Sequence, residues 1–225
     1  MICPLKILLV CALLALGCKK DPPSPPGKVT LLSPAKNSEC SAIDSESGNT
    51  NLVEFSWQAA SHTESYVLQV NELNSGTGQM KTTTALSEIL AIEKGTPFSW
   101  NVTATNRAVT EKSVSETWYF FSPGTETSYA PFPVEVLRPN GPKAFIDVNE
   151  EVSLEWVGAD LDEDIDGYEL FFGTENPPTL HASLTSNQTS AKVAAITKTV
   201  YYWRVITKDQ EGNTSDTGVL SFEAI

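Results

Sequence analysis

Five short segments in the first half of the chain alternate apolar and polar side chains with a period of two. Five matching segments recur in the same order in the second half. The first set is Leu32-Ser33-Pro34, Val53-Glu54-Phe55-Ser56-Trp57, Tyr66-Val67-Leu68-Gln69-Val70, Phe98-Ser99-Trp100-Asn101-Val102 and Trp118-Tyr119-Phe120. The second is Leu137-Arg138-Pro139, Val152-Ser153-Leu154-Glu155-Trp156, Tyr168-Glu169-Leu170-Phe171-Phe172, Tyr201-Tyr202-Trp203-Arg204-Val205 and Leu220-Ser221-Phe222. Trp57 and Trp156 lie 99 residues apart, Tyr66 and Tyr168 lie 102 apart, and Trp100 and Trp203 lie 103 apart. In a strand successive side chains face opposite ways, so Val53, Phe55 and Trp57 share one face and Glu54 and Ser56 the other. One apolar and one wet face is the pattern of an antiparallel sheet packed on a single core. Turn formers such as Asn74-Ser75-Gly76 and Glu211-Gly212-Asn213 separate the segments. The pattern predicts an all-β chain of two tandem β-sandwiches. Residues 84–94 and 187–200 carry no long helical periodicity and read as strand and turn.

These residues carry a resemblance. Each copy is similar to a fibronectin type III domain, through the early proline, the tryptophan of the second strand, the tyrosine of the third and the aromatic-x-Trp-x-Val of the sixth. The resemblance implies that Trp57 and Trp156 sit at the centre of two cores, joined by Tyr66, Trp100, Tyr168, Tyr201 and Trp203. Phe98 stands where the second copy has Tyr201, so any hydroxyl bond made there is absent from the first. Copy one also has six more residues between its early proline and its tryptophan: Pro34 to Trp57 is 23, Pro139 to Trp156 is 17. Residues 122–131 lack apolar periodicity and contain the glycine, prolines and small polar residues of a joint. The expected domains are 27–123 and 130–225, with 124–129 as linker.

Ahead of these copies stands a ten-residue apolar run, Ile7 to Leu16, after Lys6. A membrane-spanning helix needs ~20 apolar residues, so the run reads as a signal peptide covering residues 1–17. Ala15-Leu16-Gly17-Cys18 resembles the lipobox of bacterial lipoproteins, with Ala15 where leucine is usual. The resemblance implies that Cys18 is lipidated (palmitate among its acyl chains) and that the protein is attached to the outer membrane through its N-terminus. An ordinary secretory signal cut after Ala15 or Gly17 is the alternative. Lys19-Lys20-Asp21 loosely resembles the surface-export signal of Bacteroidetes-type lipoproteins, which favours the outer face. Residues 18–26, rich in proline, read as an extended tether reaching about 20 Å.

The formal net charge is −13, and removal of Lys6 with the leader makes it −14. An acidic chain repels phosphate backbones, which argues against nucleic acid as a partner. Of four cysteines only Cys40 is left in the mature body, within a polar stretch, and is expected to be a loop residue without a role. His62 and His181 fall one per domain with no metal-ligand spacing. The strongest candidate chemistry is Asp160-Leu161-Asp162-Glu163-Asp164-Ile165-Asp166, whose alternating carboxylates suit calcium. It lacks the terminal glutamate and exit helix of an EF-hand. No other cofactor is expected. Trp118, Tyr119 and Tyr202 are the candidate ligand-binding aromatics. The expectation is a non-enzymatic binding or adhesion lipoprotein with an unknown protein or glycan ligand. The rivals are a glycan-binding accessory of polysaccharide uptake and a spacer without a ligand.

Overall fold

Period-two alternation becomes strand wherever the sequence carries it. The computed structural model describes residues 22–43, 48–124 and 128–225. The predicted leader, Cys18 and the first tether residues lie outside them. Module one contains β1 (Leu31–Ser33), β2 (Ser38–Glu39), β3 (Thr50–Trp57), β4 (Ser65–Glu72), β5 (Gly78–Thr83), β6 (Ser87–Glu93), β7 (Thr96–Thr105), β8 (Ser113–Val114) and β9 (Trp118–Ser122). Module two contains β10 (Phe132–Arg138), β11 (Lys143–Ala144), β12 (Glu151–Ala159), β13 (Ile165–Gly173), β14 (Leu180–Thr185), β15 (Ser190–Ala194), β16 (Val200–Asp209), β17 (Thr214–Asp216) and β18 (Leu220–Ala224).

The two modules repeat strand for strand. Module one pairs β1-β3-β6 in one sheet and β2-β9-β7-β4-β5 in the other, with β8 attached to β7. Module two pairs β10-β12-β15 and β11-β18-β16-β13-β14, with β17 attached to β16. All pairings are antiparallel except β2–β9 and β11–β18. This is the two-sheet arrangement of a fibronectin type III-like sandwich, present twice. Segments 84–94 and 187–200 supply β6 and β15, the third strand of each smaller sheet.

Each core is wedged by two indoles, one per sheet. Trp57 on β3 and Trp100 on β7 are 1% and 0% exposed; Trp156 on β12 and Trp203 on β16 are both 1% exposed. Phe55 meets Trp100 edge-on at 5.3 Å and Phe120 at 5.6 Å, while Trp156 meets Tyr168 at 5.8 Å. Tyr66 is buried and its hydroxyl accepts the Ala60 amide at 3.0 Å. Tyr201 accepts the Ile196 amide at 3.0 Å, a bond that Phe98 cannot make; Phe98 stacks on Phe120 instead. Glu72 shares the inward face of β4 with Leu68 and Val70. It is tolerated there because the Asn74 and Ser75 amides donate to its carboxylate at 2.8 and 2.9 Å. A hydroxyl also repeats: Ser115 Oγ accepts Val102 N, and Thr217 Oγ1 accepts Val205 N, each at 3.0 Å.

Cys40 departs from expectation. It follows β2, whose parallel pairing with β9 turns the thiol inward, and its amide donates to Phe121 O at 2.9 Å. The side chain joins the module-one core at 5% exposure, and burial pushes the thiol up to about 12. The folded body begins early: Pro26 is buried and Gly27 N donates to Ser61 O at 2.8 Å.

Between the modules, Phe121 and Phe132 are buried yet belong to neither core. Phe121 meets Tyr129 edge-on at 4.6 Å, and Phe132 stacks against Tyr119 at 6.4 Å. Lys36 Nζ donates to Glu135 Oε2 at 2.6 Å. Asn51, buried on β3, donates to Pro123 O at 2.8 Å and holds the start of the linker. The first residues of β10 thus lie near the start of β9, and Glu116, Thr117, Tyr119 and Val136 line one shallow cleft.

Two outcomes follow from this packing. A Cβ at Gly158 would stand 2.3 Å from Tyr168 Oη and 3.0 Å from Ile165 Cδ1. Gly158→Ala should therefore destabilise module two by about 1–3 kcal/mol, as overpacking does. Adding Tyr168→Phe should recover most of the loss in urea unfolding. Cys40 should resist a thiol reagent at pH 8, because the rise from 9.0 to about 12 cuts its thiolate fraction by roughly a thousandfold. Titration in denaturant should release one reactive thiol from the buried site.

Candidate cation site beside the module junction

Two loops of module two meet at its junction end. One joins β12 to β13 and carries the acidic run; the other follows β16. Their approach brings one carboxylate oxygen each from Asp160, Asp164 and Asp209 within 4.8 Å of one another. Oxygens this close can all be reached by one ion with ~2.4 Å bonds. The cluster could coordinate a divalent cation.

Each carboxylate is differently held. Asp209 is 4% exposed; its Oδ1 accepts Asn213 N and its Oδ2 accepts Asn213 Nδ2, both at 2.7 Å. Asp160 Oδ1 accepts Asp162 N at 2.9 Å, while its Oδ2 is buried with no hydrogen-bond donor. Asp164 Oδ1 is likewise buried without a donor, and Asp164 O accepts Gln210 N at 3.2 Å, tying the loops together. Glu163 makes the turn with φ of 59°. Among the described residues no lysine or arginine pairs with any of the three aspartates. Burial pushes the Asp160 carboxyl up, the Asp162 amide opposes it, and the nearby acids Asp164, Asp162 and Asp209 raise it further. Glu211 is raised chiefly by its hydrogen bond with Asp164. Negative charge is thus concentrated without a counter-ion.

Of the four predicted ligands, Asp160 and Asp164 come together. Asp162 turns away and accepts the Tyr129 amide at 2.7 Å, and Asp166 is exposed on β13. Asp209 was missed because it stands 45 residues from Asp164 in the chain; the acidic turn Asp209-Gln210-Glu211-Gly212-Asn213 is the signal that points to it. Module one acts as an internal contrast. Asn106 lies six residues past Trp100, as Asp209 lies six past Trp203. Asn106 Nδ2 donates to His62 O at 2.9 Å, and Glu64 is paired with Arg107 at 3.8 Å. Those loops are closed by neutral bonds and an ion pair.

The candidate ligand-binding aromatics are placed as follows. Trp118 lies edge-on to Trp100 at 6.1 Å and packs partly buried against the core. Tyr119 is engaged by Phe132, and burial raises its hydroxyl. Tyr202 is partly covered on the outer face of β16, opposite Ser221 and Gly173. Phe145, absent from that set, is 83% exposed beside a cleft of ≈ 480 Å³. Ala144 at the end of β11 points in, so Phe145 points out. His62 and His181 are far apart in the fold, on a turn of module one and on β14.

No family model matches the chain, and no curated protein matches it. Similarity to solved structures is broad and low in identity. The fibronectin(III)-like modules of Clostridium thermocellum CbhA show 14% identity over 88% of this chain and 93% of that one, with a TM-score of 0.34. The FN1-FN3 domains of chicken CNTN1 show 13% over 90% and 65%, with a TM-score of 0.31. A two-domain fibronectin type III segment of chicken tenascin shows 13% over 87% and 98%, with a TM-score of 0.29.

The charge arrangement yields a direct expectation. In the presence of chelator, Asp160→Asn should raise the melting temperature of module two by roughly 2–4 °C, because it removes one of the crowded charges. Calorimetry checks it; an unchanged or lower transition would show that the cluster carries no strain.

Proposed function

We propose that this chain is a non-enzymatic binding or adhesion lipoprotein of the cell envelope, anchored by acyl chains on Cys18, and that its module-two cluster binds calcium. The observation that carries the binding role is how little of either sandwich is free for anything but display. The tryptophans and most large aromatics are committed to the cores or the junction, which leaves loops on two rigid bodies as the recognition surface. The anchor rests on the apolar run ending at Gly17-Cys18, followed by the proline segment. The outer membrane is the proposed location, with its outer face favoured. Calcium is favoured at the cluster because every donor is a hard oxygen, and because Asp160 Oδ2 and Asp164 Oδ1 are buried acceptors with no donor.

A glycan ligand is a second reading, favoured by one observation. The Phe145 ring stands open beside a cleft lined by Leu137, Arg138, Lys143, Asp147 and Glu151. An apolar ring flanked by charged hydrogen-bonding groups suits stacking on a sugar.

Palmitate labelling of the full chain and its Cys18→Ala variant tests the anchor: label and membrane retention should both be lost in the variant. Arrayed proteins and glycans probed with the mature two-module chain test the ligand class. A sugar signal removed by Phe145→Ala establishes the second reading, and a protein signal indifferent to it establishes the first. For calcium, the wild-type melting transition should rise in millimolar calcium and fall back with chelator, whereas Asp164→Asn should not respond.

A further inference from the structure

The end of β12, the loop after it and the turn between β14 and β15 border a cleft of ≈ 440 Å³. Gly158 and Ile165 belong to its apolar side, and Asp160, Glu163 and Ser186 to its polar side. Among the described residues no lysine or arginine lines it. Tyr168 is part of the wall and only 3% exposed, yet its hydroxyl has no hydrogen-bond partner among the described residues. A Cβ at Gly158 would lie 2.3 Å from that hydroxyl, so glycine is what lets the oxygen reach the cleft wall.

Module one holds the same tyrosine satisfied. Tyr66 Oη accepts the amide of Ala60, three residues past Trp57, at 3.0 Å. The matched residue, Ala159, stands three past Trp156 and is paired with Phe132 of β10 instead. Ala59 occupies the place of Gly158. A buried acceptor that the first module fills is therefore open in the second, beside two carboxylates.

We infer that this cleft receives a basic side chain of a protein partner, whose charged nitrogen donates to Tyr168 Oη and to the carboxylates of Asp160 and Glu163. The inference rests on the protein-binding reading above and names the chemistry that the partner presents. Tyr168 points to a ligand independently of the acids, because it is neutral and its oxygen is buried without a donor. The acids set the sign of the ligand: burial and nearby carboxylates raise the Asp160 carboxyl, and an incoming cation opposes that rise. The methylene stem of a lysine or arginine suits the apolar side of the cleft. A sugar is disfavoured, because the Tyr168 ring packs edge-on against Trp156 at 5.8 Å and offers no open face for stacking.

Amide chemical shifts of the mature chain carrying Cys18→Ser, held in chelator, test this with an acetylated Gly-Lys-Gly amide, its norleucine counterpart and glucose. The lysine tripeptide should shift the Gly158, Ile165 and Thr189 amides saturably, and the other two probes should not. Tyr168→Phe leaves every charge in place and should weaken the tripeptide roughly tenfold, the worth of one hydrogen bond to a charged group. Ser186→Lys, at an exposed turn position, sets a cation of the chain's own at the rim and should weaken it by at least as much. Binding that both variants keep is diffuse attraction to an acidic surface and overturns the cleft, as does no binding, or equal binding of norleucine or glucose. The same variants probed on arrayed proteins separate the two readings. A protein signal that both variants keep overturns the cleft alone, and the absence of any protein signal from the wild type overturns the protein-binding reading itself.

Discussion

Two indoles hold each sandwich together. One projects from each sheet, and the sheets close on them without a disulfide to help. Burying an aromatic of this size removes 150–250 Å² from water, worth about 4–6 kcal/mol at ~25 cal/mol per Å². The Nε1 groups of Trp57, Trp100 and Trp156 are buried without acceptors, at about 1–3 kcal/mol each. Apolar burial therefore outweighs the unmade hydrogen bonds, and the positions of these three rings are set by packing. That is why matched strands recur so faithfully in the two modules while their loops diverge. A core fixed by shape leaves the loop chemistry free.

The divergence is concentrated in one pair of loops. In module one they close through Asn106 to a carbonyl and through Glu64 to Arg107. In module two the same places hold Asp209 and the acidic run, with two oxygens left unmatched. Both solutions sit on matching strands. The difference is that the second lies against a neighbouring module, so its loops also contact Ser128 and Tyr129.

The strands were legible because burial enforces parity. Val53, Phe55 and Trp57 cannot all point inward in any other register. Parity also accounts for Cys40 and Phe145, which a reading by local polarity passed over: each follows a short strand, β2 or β11, too brief to show alternation by itself. The cation cluster was half legible. Asp160 and Asp164 are close in sequence, but Asp209 joins them only through strand pairing, with β16 hydrogen-bonded beside β13. The same kind of long-range placement gave Asp162 a different task. The junction was illegible for a related reason: Tyr119 and Phe132 look like ordinary strand aromatics until two separate sheets are set side by side.

The side-chain contacts that join the modules have a mechanical consequence. A chain held at its N-terminus and pulled by something grasped on the second module would load the intermodule contacts one after another. Tyr119–Phe132, Phe121–Tyr129 and Lys36–Glu135 would peel apart in turn, whereas the hydrogen bonds of a ladder can share a load. Side-chain contacts of this kind yield before sheets do. The joint would give first, while both sandwiches stay folded.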